Sequence, residues 1–195
     1  MPTVTALRDD RRGRVAVELD GAPWRVVPVD VVVRAGLAEG RALDRAALRL
    51  VRRELRRAEA LAVAGRALQR RDLSTRAVAE RLERAAVAPA AVEESLDVLT
   101  QAGFLDDARF ARARAEALAG RGYDDAAIRH DLERRGVAHE VVREALEELD
   151  PEPERARRVV ERRGRGARTA RYLASKGFGQ EALEEAGAPD FANDP

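Results

Sequence analysis

The feature that most constrains this chain is that it repeats itself. Leu68, Arg71, Val78, Leu82, Val87, Val92, Leu96 and Leu99 recur 50 positions later as Leu118, Arg121, Ile128, Leu132, Val137, Val142, Leu146 and Leu149. A further shift of 41 places Val159, Arg162, Thr169, Leu173, Phe178 and Leu183 in the same slots, and Gly187 falls where Leu146 stood. Units of this size cannot bury an apolar face alone, so they stack on their neighbours. Each copy has one plan. A first helix stops at Arg70-Arg71, Arg121-Gly122 or Arg162-Arg163-Gly164. Ser74 and Asp124 stand where a second helix needs an N-cap. That helix ends at Ala85-Ala86-Val87, Arg135-Gly136-Val137 or Lys176-Gly177-Phe178, and a third starts near Pro89, His139 or Gln180.

The expected fold is therefore mainly α. It is a tandem array of three three-helix repeats over 58–105, 106–150 and 151–188. Pro151-Glu152-Pro153 marks the last boundary, and the array is expected to be elongated and curved. Residues 189–195 read as a disordered tail. Alanine is a fifth of the chain and charged residues are 36%, the composition of helices with much exposed surface. Of the 36 basic residues 35 are arginine, which reflects codon usage in a GC-rich genome, so position counts here and arginine identity does not.

Residues 1–57 differ and read as a small β-hairpin and short-helix region. Val15 to Leu19 alternates with period two, Asp20-Gly21 is a turn signal, and Trp24 to Val27 is the returning strand. Four residues lie between Leu19 and Trp24, more than a two-residue turn needs. A hairpin alone is marginal in water, so Thr3 to Arg8 is the expected third strand. Pro28 and Asp30 open a short helix that Gly36 ends. Asp44 caps a longer one whose apolar face is Ala47, Leu48, Val51, Leu55 and Ala58, with Arg49, Arg52, Arg53, Arg56 and Arg57 crowding the rest.

Several chemistries fall away. The chain contains no cysteine, so thiolate metal sites, disulfides and cysteine nucleophiles are excluded. His130 and His139 read as solvated, and no serine sits in a strand–turn–helix elbow that would make a triad with them. Gly164-Arg165-Gly166-Ala167-Arg168-Thr169 lacks the strand and the Gly-Lys-Ser/Thr ending of a phosphate loop, and reads as a basic turn. Asp106-Asp107 and Asp124-Asp125 read as helix starts rather than magnesium pairs. Trp24 reads as a core cover for the hairpin and Tyr123 as a structural aromatic at an inter-helix turn, rather than as base-stacking platforms. No catalytic group, metal or cofactor is expected, and an enzyme is the weakest reading.

What remains is a binding surface. The net charge is only +1, yet residues 155–176 carry nine cations against the single acid Glu161. Self-repulsion of that density calls for an anionic partner. Helical spacing places Arg155, Arg158, Arg162 and Arg165 along one stripe. The candidate contacts are these four with Arg168 and Lys176, and Arg52, Arg53, Arg56 and Arg57 from the N-terminal region.

The repeats resemble the RecX family, bacterial regulators of the RecA recombinase. The resemblance covers about residues 58–187 and is carried by Gly103-Phe104-Leu105-Asp106-Asp107-Ala108-Arg109-Phe110-Ala111 between the first two copies. Ala67-Leu68 with Arg71 and Ser74, the Arg134-Arg135-Gly136-Val137 turn, Tyr172-Leu173 and Lys176-Gly177-Phe178 add to it. Asp72 and Ala86 stand where such turns more typically have glycine. The resemblance implies a protein without an active site that binds in the groove of the RecA–DNA filament. There it suppresses ATP hydrolysis, strand exchange and co-protease activity, and so tunes recombination, repair and the SOS response. The alternative is a direct DNA-binding helical protein of weak sequence dependence. No apolar run is long enough to span a membrane and the first residues do not form a secretory signal, so a cytoplasmic protein is expected, and a monomer, since no long apolar stripe is left over for a partner chain.

Overall fold

A computed structural model describes residues 1–186. The expected tail at 189–195 and the Gly187 slot lie outside them. Three antiparallel strands come first, β1 (Val4–Asp10), β2 (Arg14–Leu19) and β3 (Ala22–Pro28), in the order β1-β2-β3. Ten helices follow among the described residues: α1 (Val29–Ala35), α2 (Arg45–Leu68), α3 (Thr75–Arg84), α4 (Pro89–Gln101), α5 (Asp107–Gly120), α6 (Asp125–Arg134), α7 (His139–Glu147), α8 (Glu152–Arg163), α9 (Ala167–Ser175) and α10 (Gln180–Glu185). None of the described helices is long and apolar enough to cross a membrane.

The hairpin differs from expectation in register. Leu19 pairs with Ala22, so Asp20 and Gly21 form a two-residue turn, with φ of 51° and 79°. Two consecutive positive φ values match the right-handed twist of the strands, which is why Asp-Gly suits such a turn. The extra residue is absorbed further along. Val17 pairs with Arg25 and Glu18 with Pro23, leaving Trp24 in a bulge where it is 39% exposed rather than covering the hairpin.

The chain divides into two compact units, residues 1–71 with 78–104, and residues 72–77 with those from 105 onward. In the first, Val4, Val17 and Val27 of the sheet close on Val31 and Ala35 of α1 and on Ala47, Val51 and Leu55 of α2. Asp44 caps α2, accepting from the Ala47 N–H at 2.7 Å. The helix then runs unbroken for 24 residues, through the expected boundary at 57/58, and α4 packs against it.

The second unit holds two three-helix clusters. Ala111, Ala115 and Leu118 of α5 meet Ile128 and Leu132 of α6 and Val142 and Ala145 of α7. Ala156, Val159 and Val160 of α8 meet Leu173 of α9, with Phe178 and Ala186 completing the cluster. The expected caps form: Asp106 accepts from Arg109 N–H at 2.9 Å, Asp124 from Ala127 N–H at 2.8 Å, and Ser74 from Ala77 N–H at 3.3 Å. Asp107 does something else. It accepts from the Thr75 N–H at 2.8 Å, covering the start of α3 from 32 residues away. In the next copy Glu152, at the start of α8, accepts from the Asp125 N–H at 2.9 Å at the start of α6, from a position outside the 41-residue offset.

A second contact repeats with it. Ser74 donates to the Arg135 carbonyl at 2.7 Å, and the Asp124 N–H donates to the Lys176 carbonyl at 3.2 Å. In both cases the N-cap of a second helix rests on the turn after the next copy's second helix. The residue under the contact is Gly136 in one case and Gly177 in the other, with φ of 79° and 100°. A Cβ on Gly136 would overlap the Arg76 side chain, and one on Gly177 would lie 2.5 Å from an Asp124 carboxylate oxygen. The same turn slot in the first copy holds Ala86, at φ 56°.

Candidate binding surface

The ten candidate cations do not form one surface. Arg57 is buried, its Nη1 3.5 Å from Glu54, and its Nε 3.2 Å from Glu94 of α4 but off the hydrogen-bond line. It ties α2 to α4 and is not available to a partner. Arg155 is buried too. It donates to the Tyr123 carbonyl at 3.1 Å and to the Asp125 carboxylate, joining α8 to the start of α6. Both were placed on the surface by helical spacing alone, and both are corrected by an acid on another element. A buried arginine persists only with such partners, because an unpaired buried charge is costly.

The remaining eight divide by partner. Arg53 pairs with Glu54 at 3.2 Å. Arg158 pairs with Asp150, and that bond holds its guanidinium above the ordinary value. Lys176 places its Nζ 3.9 Å from the centroid of the Tyr123 ring and 5.6 Å from that of Tyr172. Arg163 lies over the other ring at 4.1 Å, and Tyr172 donates its hydroxyl proton to the Arg121 carbonyl at 2.9 Å. Tyr123 is thereby a structural aromatic. Arg52, Arg56, Arg162, Arg165 and Arg168 are exposed and pair with no carboxylate among the described residues. Arg165 is off the helical stripe, because α8 stops at Arg163 and Gly164 turns away at φ 78°.

The acids are also accounted for. Asp131 accepts from Arg114 Nε at 2.8 Å and from Arg135 Nε at 2.8 Å, and the Arg114 bond foremost holds its carboxyl far below the usual range. Asp106 is lowered mainly by the Arg109 backbone N–H it caps. His130 and His139 are exposed, and Glu133 lies 3.3 Å from the His139 Nδ1. Among the described residues no three His, Cys, Asp or Glu side chains gather as a metal site.

Two grooves remain. One of about 400 Å³ is lined by both signs of charge, with Glu116, Asp150 and Glu161 facing Arg155, Arg158 and Arg162. The other, of about 440 Å³, is lined by Val63, Arg66, Ala67, Arg70, Arg71 and Arg81. None of its four arginines is among the candidate contacts, although Arg70-Arg71 marks a helix stop in the sequence. The available signal was the charge of equivalent slots: 50 positions on from Arg66, Arg70 and Arg81 stand Glu116, Gly120 and Asp131.

The fold and surface define a mainly helical protein of small three-helix clusters behind an N-terminal sheet, with arginine as its principal exposed charge. A family model for the second three-helix domain of RecX matches residues 106–146. The regulatory protein RecX of Chromohalobacter salexigens is 37% identical over 137 residues, which are 66% of this chain and 90% of that one. The corresponding protein of Deinococcus radiodurans is 34% identical over 141 residues, 67% of this chain and 68% of that one. Among solved structures, a crystal structure of regulatory protein RecX superposes with a TM-score of 0.79 at 20% identity, covering 95% of this chain and 98% of the other. That of RecX from Lactobacillus salivarius gives 0.56 at 14% identity, over 67% and 94%. The chain belongs to the RecX family of regulatory proteins.

Proposed function

We propose that this chain is a non-enzymatic regulator, an inhibitor, of the RecA recombinase. It binds in the groove of the RecA–DNA filament and lowers ATP hydrolysis, strand exchange and co-protease activity, tuning recombination, repair and the SOS response. It works as a cytoplasmic monomer whose helices are three successive copies of one three-helix unit. The observation that carries the reading is the 37% identity to a regulatory protein RecX across 90% of that protein's length. The surface supplies chemistry that suits it. Arg162, Arg165 and Arg168 lie within 7 residues, are exposed, and lack carboxylate partners among the described residues. They can make charge-assisted contacts with acidic protein surface. Arg52 and Arg56 offer the same on α2.

The test is single-stranded-DNA-dependent ATP hydrolysis by RecA, titrated with this protein at two salt concentrations. Hydrolysis is expected to fall, and to fall less at the higher salt. Unchanged hydrolysis at stoichiometric excess of folded protein overturns the reading.

A further inference from the structure

The chain has a single lysine. The other 35 of its 36 basic residues are arginine, so a codon bias that supplies arginine everywhere else leaves lysine at 176. Lys176 caps the C-terminus of α9, at the seam between the α5–α7 and α8–α10 clusters. Its carbonyl accepts the Asp124 N–H at 3.2 Å, and its Nζ lies 3.9 Å from the centroid of the Tyr123 ring and 5.6 Å from that of Tyr172. Backbone and side chain of one residue thus both reach the turn before α6.

The preceding cluster fills the same position differently. At the 41-residue offset Arg135 and Asp131 stand in place of Lys176 and Tyr172, and there the cation donates to the carboxylate at 2.8 Å. Lys176 pairs with no carboxylate among the described residues, and ring faces hold its charge instead. Both rings are fixed in the seam. Tyr172 donates its hydroxyl proton to the Arg121 carbonyl at 2.9 Å, and the Tyr123 carbonyl accepts from Arg155 at 3.1 Å.

A ring face does not demand lysine. Arginine makes this contact more often, and Arg163 already lies 4.1 Å over the Tyr172 ring. What lysine has and arginine lacks is an amine that forms amides under mild conditions. The amide nitrogen is neutral and has lost the charge that ring quadrupoles attract. In the closed seam the two rings cover the nitrogen, so an acyl donor reaches it when the seam opens. The side chain is only half-buried, so a local opening suffices. Closure shields the amine, and acylation holds the seam open.

We propose that Lys176 is an acylation site for an acyl phosphate, and that the acyl group releases a latch between the α5–α7 and α8–α10 clusters. The deprotonated Nζ attacks the carbonyl carbon of the donor. The C–N bond forms, the bond from that carbon to the phosphate oxygen breaks, and phosphate leaves with the electron pair. The amine proton passes to solvent.

The test uses the full chain and acetyl phosphate. Its two amines are Lys176 Nζ and the Met1 α-amine, which peptide mapping by mass spectrometry separates. Lys176 should become acetylated. Amide exchange at Asp124, whose N–H bonds the Lys176 carbonyl, should then quicken about tenfold, the size of a partly desolvated cation–π contact. K176Q should exchange as fast as the acetylated chain with no reagent added. K176R keeps a cation over the rings, so its exchange should stay within about twofold of wild type, before and after the reagent. Y123L removes the nearer ring and should raise the rate of Nζ acetylation about threefold, with the Met1 rate unchanged. The acetylated wild-type chain carries no substitution, so its exchange decides the matter even where a variant misfolds. Acetylation confined to Met1, or unchanged exchange at Asp124 in the acetylated chain, overturns the inference. K176R exchanging as fast as K176Q assigns the lysine to its size alone, and an unchanged Nζ rate in Y123L removes the latch; either overturns it as well.

Discussion

Replacing Gly177 by alanine should unseat the third copy from the second, whereas alanine is already native at the same slot of the first copy. Gly177 has φ 100°, and an added Cβ would lie 2.5 to 2.7 Å from three atoms of the Asp124 carboxylate group. That carboxylate cannot give way cheaply: Asp124 is buried, caps Ala127, and donates its own N–H to the Lys176 carbonyl. Placing an L-residue at such a φ costs about 1–2 kcal/mol. Loss of an N-cap costs about 1 kcal/mol. Reduced freedom of the unfolded chain returns about 0.4–1 kcal/mol. The net destabilisation is about 2 kcal/mol, or a fall in Tm of about 4–8 °C for a chain of this size. Ala86→Gly relieves the φ 56° strain and adds unfolded-state entropy, so it should change stability by no more than about 0.5 kcal/mol. Thermal unfolding followed at 222 nm measures both, and amide exchange at Ala127 localises the damage to the first turn of α6. Equal effects of Gly177→Ala and Ala86→Gly, or undiminished protection at Ala127, would refute the reasoning.

Other residues give sharper contrasts. Arg155→Ala leaves the Tyr123 carbonyl without its donor and Asp125 without its cation, so it should cost about 3 kcal/mol in denaturant unfolding, while Arg158→Ala, at an exposed pair, should leave the midpoint unchanged. The Asp131 carboxyl is depressed in the folded state, so its stabilisation is full above the unfolded carboxylate value and declines as pH falls below about 4. Asp131→Asn should therefore destabilise at pH 7 by about 2 kcal/mol and flatten the acid limb of a stability–pH curve; an unchanged limb would count against the Arg114 and Arg135 pairing. Tyr172→Phe removes the hydroxyl bond to the Arg121 carbonyl but keeps the ring under Arg163, and should cost about 1 kcal/mol in urea titrations, less than Tyr172→Leu.

How far the sequence was readable follows from the range of the interactions involved. The apolar skeleton of the copies and the caps Asp44, Asp106 and Asp124 act within three or four residues, and period and residue type expose them directly. Ser74 was legible as a cap but not as a donor to the Arg135 carbonyl, 61 residues away. Arg57 and Arg155 were misplaced for the same reason. Spacing assigns a helix face, but not that Glu94 or Asp125 waits behind it. Trp24 was misread because the Asp20-Gly21 turn fixes the hairpin end and pushes the extra residue into a bulge. The arginine groove depends on α3 bringing Arg81 to the end of α2, which no local pattern reveals. Ala86 was visible as a departure from glycine. The structure places alanine at that turn at φ 56°, while Gly136 and Gly177 lie beneath Arg76 and Asp124.

The most direct test is equilibrium binding of the fluorescently labelled chain to preformed RecA filaments on single-stranded DNA, against the same DNA without RecA, for wild type and for R162Q/R165Q/R168Q. The expected result is tighter binding to the filament than to the bare DNA, with R162Q/R165Q/R168Q weakening the filament complex. Filament binding no tighter than binding to bare DNA would contradict RecA as the partner.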